Sequence, residues 1–76
     1  MEQRVFTVIA QVVGVPIEEI TIESSPDNIE TWDSLKHMNI IMALEQEFNV
    51  QFSEEQIIYL ENTELVVETL KEMGCL

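Results

Sequence analysis

The chain has 76 residues, 46% of them hydrophobic, and a formal net charge of −12 from 15 acidic side chains against three basic ones. That apolar share is too high for a disordered chain. The length predicts one domain, residues 1–76, without room for a second or for an enclosed enzyme active site. The charge repels nucleic-acid phosphates and anionic membrane surfaces and favours basic partners, so neither nucleic-acid binding nor membrane insertion is expected.

The first predicted element runs from Glu2 to about Val13, with Val5, Val8, Ile9 and Val12 at the i, i+3, i+4, i+7 spacing of a core-facing helix. So many β-branched residues lower its intrinsic helix propensity, and packing must supply its stability. Gly14 offers a C-terminal cap and Pro16 a stop. The apolar run Val5–Val15 does not make a signal peptide. Glu2 offsets Arg4, Thr7 and Gln11 interrupt the run, and no small-residue cleavage site follows. No apolar run reaches the length of a membrane span. Cys75, the only cysteine, rules out an internal disulfide and suits a reducing, cytoplasmic setting.

Val15 to Trp32 shows no steady period. Ile17, Ile20, Ile22, Ile29 and Trp32 punctuate polar residues, and Ser24-Ser25-Pro26-Asp27-Asn28 reads as a turn. A loop this long is unusual in a small domain. The spaced isoleucines are expected to pin it to the bundle, with Trp32 as a packing anchor. Ile20-Thr21-Ile22 has the composition of a strand but no second strand to pair with.

A second helix is predicted from Ser34 to about Phe48, stopped by Asn49. Asp33 and Ser34 stand where backbone N–H groups lack intrahelical partners, and either side chain can cap them. On a wheel of about 100° per residue, Ile40, Ile41, Leu44 and Phe48 form one apolar stripe. Leu35, Met38 and Met42 form another, roughly 130° away. One stripe suffices to hold a helix on a core. The second is either a docking surface beside the Ser34 hydroxyl or ordinary packing against the loop or the third helix. Ser53-Glu54-Glu55-Gln56 has the capping-box pattern and starts a short third helix through Ile57, Ile58 and Leu60. Asn62 or Thr63 caps a fourth, with Leu65, Val66, Thr69, Leu70 and Met73 on its buried side and Gly74 at its end. Asp33, Glu54, Glu55 and Glu64 fall at helix starts, where negative charge is favourable. The fold expected is all-α: three main helices and one short one, with a long loop between the first and second.

Other constellations fail. His37, the sole histidine, falls near the core-side stripe and reads as a buried or half-buried structural residue. Ser34 and His37 lie one turn apart, but no oxyanion donor or pocket is evident for hydrolysis. No Cys/His cluster offers metal ligands, no glycine loop cradles phosphate, and Asp27 to Glu30 lacks calcium-loop spacing.

Asp33-Ser34-Leu35, followed by Met42-Ala43-Leu44-Glu45-Gln46-Glu47-Phe48, resembles the acyl and peptidyl carrier protein family over nearly the whole chain. The resemblance implies a small helical bundle and a covalent 4′-phosphopantetheine on Ser34, whose thiol holds acyl or aminoacyl intermediates as thioesters. It implies a carrier and not an enzyme, a cytoplasmic monomer modified by a phosphopantetheinyl transferase that reads Asp33. Acyl-loading, acyl-transferring or condensing enzymes with basic docking surfaces would meet Leu35, Met38 and Met42. Glu45 and Glu47 look like the acidic positions of related carriers, although a solvated helix face explains them nearly as well. Thr31 stands where many members have glycine, and Lys36 and Asn39 replace common acids, so the helix start is less negative than in fatty-acid carriers. A polyketide, polysaccharide or other specialised pathway fits at least as well as fatty acid synthesis. The competing reading is an acidic helical interaction adaptor without a covalent cofactor.

Overall fold

The computed structural model describes residues 2–76, and its helices follow the predicted boundaries closely. They are α1 (Glu2–Val13), α2 (Ser34–Phe48), α3 (Glu54–Tyr59) and α4 (Thr63–Glu72), with one 3₁₀ turn at Ile17–Glu19 in the long loop. Among the described residues no strand forms, so Ile20-Thr21-Ile22 is loop.

Three helices end by the same device. Gly14, Asn49 and Gly74 follow α1, α2 and α4 with φ of 77°, 54° and 82°. The next N–H then reaches the carbonyl five residues back: Val15 to Ala10 at 3.2 Å, Val50 to Glu45 at 3.0 Å, Cys75 to Leu70 at 2.9 Å. A left-handed residue is what lets the chain turn back onto those orphan carbonyls, and asparagine tolerates that conformation where most residues do not. The starts are capped as predicted for α3, where Ser53 and Gln56 form a reciprocal capping box. Asp33 caps α2 by accepting from the Lys36 N–H at 2.8 Å, and Asn62 caps α4 by accepting from the Leu65 N–H at 2.9 Å.

Helix α1 packs on both α2 and α4. Val5, Ile9, Ile40, Leu44, Leu60, Val66 and Leu70 are wholly inaccessible at the centre of the core. Contact with two helices widens the buried arc of α1 beyond a single stripe. Ala10 and Val13 are buried with it, while Val12 packs at the edge and stays half-buried. The buried arc of α4 is rotated toward Thr63 and Val67, both buried, and leaves Leu65 and Met73 half-buried. The loop reaches this helix at its start, where the Thr63 N–H donates to the Ser24 carbonyl at 3.1 Å.

Polar anchors and apolar ones share the work of holding the loop. Ile20 and Trp32 are buried, and Ile17 and Ile29 pack against the core. Ile22 is 38% exposed and does not pin anything. In its place Ser24, buried, accepts from the Thr21 N–H at 2.8 Å, and the Asn28 side chain bridges the Ser25 N–H and the Glu23 carbonyl. At the far end the Thr31 hydroxyl donates to the Val13 carbonyl at 2.7 Å, tying the approach to α2 onto the end of α1.

Candidate functional site

Thr31 and Trp32 fix the position of the two residues that follow. Trp32 is only 2% exposed, and its backbone N–H bonds to the Ile29 carbonyl. Asp33 then takes the capping role, so Ser34 is the first helical residue and its hydroxyl is not needed as a cap. Ser34 is exposed, and among the described residues its hydroxyl makes no hydrogen bond. The backbone N–H groups of Ser34 and Leu35 likewise find no acceptor among the described residues. They point from the positive end of the α2 dipole, where an anion is favoured.

Beside Ser34 lies an open depression of ≈ 560 Å³. Trp32, His37 and Met38 line it together with Pro26 of the loop and Glu61 after α3. His37 is half-buried, as its place near the core-side stripe predicts. Its ring lies beside that of Trp32 with centroids 6.1 Å apart and planes 24° from parallel, and its Nδ1 accepts from the Trp32 Nε1–H at 3.1 Å. No local pattern in the sequence pairs Trp32 with His37; the fold brings the two rings together.

The second apolar stripe of α2 is open to solvent: Leu35 is 69% exposed, Met38 46% and Met42 55%. Ile58, expected within the third helix, and its neighbour Tyr59 are also exposed. The signal was present, because adjacent apolar residues in a six-residue helix cannot all face one core. The two acids of α2 have internal partners. Glu45 accepts from the Phe52 N–H at 2.9 Å, which bridges α2 to the approach of α3. Glu47 pairs with Arg4 of α1 at 3.1 Å, while the Arg4 guanidinium lies 4.4 Å from the centre of the Phe48 ring. The structure thus gathers Asp33, Ser34, His37 and Met38 around one depression and turns Glu47 toward α1.

A family model described as "Phosphopantetheine attachment site" matches residues 3–70. The acyl carrier protein of Rickettsia bellii (strain RML369-C) is 36% identical over 72 residues, which cover 95% of this chain and 84% of that protein. The chain belongs to the acyl carrier protein family. A second relative, the acyl carrier protein of Buchnera aphidicola subsp. Baizongia pistaciae (strain Bp), is 31% identical over 95% of this chain and 92% of its own. Acyl carrier proteins carry substrates and do not catalyse, and phosphopantetheine is their prosthetic group. Their partners are biosynthetic enzymes. Among the described residues of this family member, no helix is long and apolar enough to cross a membrane.

Proposed function

We propose that Ser34 carries the 4′-phosphopantetheine arm and that residues 1–76 act as one monomeric, cytoplasmic carrier domain for acyl or aminoacyl intermediates. The observation that carries this reading is a hydroxyl at the mouth of α2 that is exposed and released from capping by Asp33. The surroundings fit a phosphodiester: two unpartnered N–H groups at a helix N-terminus offer donors and a favourable dipole. When bound, the arm supplies a thiol that holds the cargo as a thioester, and the protein supplies its address.

The same reading assigns partner docking to Leu35, Met38 and Met42, which expose apolar surface along the helix that begins at Ser34. Flexible methionines suit a surface that must meet several enzymes in turn. Asp33, beside the modified residue, is the contact for the phosphopantetheinyl transferase. Glu45 and Glu47 contribute less, because a backbone N–H and Arg4 already occupy their carboxylates. The remaining negative charge steers basic enzyme surfaces toward the molecule. With Thr31, Lys36 and Asn39 softening the acidity of the helix start, a specialised polyketide or polysaccharide pathway is as well served as fatty acid synthesis.

The test is a broad-specificity phosphopantetheinyl transferase with coenzyme A. The wild-type chain gains the mass of one arm, and Ser34→Ala gains none. Retention of the mass gain in Ser34→Ala would place the arm elsewhere.

A further inference from the structure

We propose that His37 is a positioning residue for the arm. Its Nε2–H donates a hydrogen bond to the phosphodiester, and Trp32 holds the imidazole in the tautomer able to do so. The inference rests on Ser34 being the attachment residue.

The tautomer follows from the geometry. An indole N–H only donates, so the His37 Nδ1 that it meets at 3.1 Å must accept and carries no proton. A neutral imidazole then has its single proton on Nε2. Among the described residues that second nitrogen has no hydrogen-bond partner. Trp32 is fixed by the core at 2% exposure and bonds the imidazole edge through its indole N–H, so both the ring and its proton are held in place from one side.

Direction follows from the helix. Residues three apart on a helix are neighbours, about 5–6 Å between Cβ atoms, so His37 stands one turn above Ser34. Side chains on a helix lean toward its N-terminus, which carries the His37 ring toward the open end of α2. Ser34 and His37 accordingly line the same depression. Lys36, two residues on from Ser34, falls on another face of the helix. A phosphodiester on Ser34 therefore meets the free N–H groups of Ser34 and Leu35 and, from the side, the His37 Nε2–H. The arm leaves the helix in a defined direction along the depression, and does not swing freely from its first bond.

The experiment follows ¹⁵N-labelled protein by NMR before and after treatment with coenzyme A and a phosphopantetheinyl transferase, with intact mass reporting attachment. In the wild type, Nδ1 is unprotonated throughout, and the Nε2–H signal moves downfield and exchanges more slowly once the arm is present. The ³¹P line of the attached arm keeps its position in His37→Gln, whose amide can still donate. It moves by more than its linewidth in His37→Phe, which keeps a flat ring and loses the donor. In Trp32→Phe the lock is gone, and an Nδ1–H population appears. A full mass gain with an unmoved Nε2–H, or with one ³¹P position shared by wild type and His37→Phe, overturns the proposal. Should His37→Phe fail to fold, the wild-type Nε2–H response and the His37→Gln line decide. A chain that gains no mass at all overturns the attachment reading and this inference with it.

Discussion

Helices α2 and α4 begin with the same local grammar and end up in opposite surroundings. Each has an Asx side chain accepting the N–H three residues on, Asp33 from Lys36 and Asn62 from Leu65, and each follows it with a hydroxyl residue in the first helical position. Ser34 is exposed beside an open depression. Thr63 is wholly inaccessible, and among the described residues its Oγ1 has no hydrogen-bond partner. At that helix start the loop is bonded directly to the first residue, its Ser24 carbonyl accepting the Thr63 N–H. Capping chemistry is therefore common to both, and exposure is what separates Ser34 from the buried Thr63.

The contrast breaks most sharply if the arm can be moved. Ser34→Ala is expected to lose arm addition completely, and restoring a serine at the matching place on α4, in the double variant Ser34→Ala/Thr63→Ser, is expected to recover none of it. Intact mass after transferase treatment reads both. An arm on residue 63 would show that the helix-start pattern suffices and that access does not decide.

The two caps sharpen the comparison next. Losing an Asx cap costs about 1 kcal/mol, with a range of roughly 0.5–2. Asn62 serves a part-buried N–H and Asp33 an exposed one. An N–H that water cannot reach loses more. Asn62→Ala is expected near the upper end, about 2 kcal/mol, and Asp33→Ala near the lower, about 0.5 kcal/mol, by urea unfolding. Equal losses would mean that the two starts are equally wet.

Thr63→Val is expected to act in the other direction. Valine keeps the branched shape and removes a buried hydroxyl that has no partner among the described residues, a group whose burial costs about 1–3 kcal/mol. A gain of about 1 kcal/mol is expected, which in a domain this small raises Tm by roughly 4–8 °C. A loss on that substitution would reveal that the hydroxyl is satisfied after all.

Much of this was legible beforehand, and the reasons differ by element. Helix ends were readable because Gly14, Asn49 and Gly74 each announce a left-handed residue that few side chains adopt. The exposed stripe of Leu35, Met38 and Met42 was readable because one helix cannot bury two stripes so far apart against one core. What the sequence left open depended on distant neighbours. Either Asp33 or Ser34 could have been the cap, and only the fold gives that task to Asp33 and frees the serine. Thr31, a departure from the glycine of many relatives, proves to clamp the loop to α1, which no local pattern announces. The Trp32–His37 contact and the partners of Glu45 and Glu47 belong to the same class.

The smallest expected effect is the one that isolates access from stability. Ser34 contributes an exposed side chain, and the capping of its helix falls to Asp33. Surface substitutions of that kind stay within about ±0.5 kcal/mol. Alanine moreover has the higher helix propensity, which offsets any small loss at the helix start. Ser34→Ala is therefore expected to unfold at the same urea midpoint and with the same m-value as the unmodified wild type. A destabilisation as large as that of Asn62→Ala would mean that the hydroxyl holds the helix start together. The two serine and threonine positions would then differ only in degree, and the serine would be a structural cap with the arm as a later use. An unchanged midpoint, together with complete loss of arm addition, separates the residue's chemical role from any structural one.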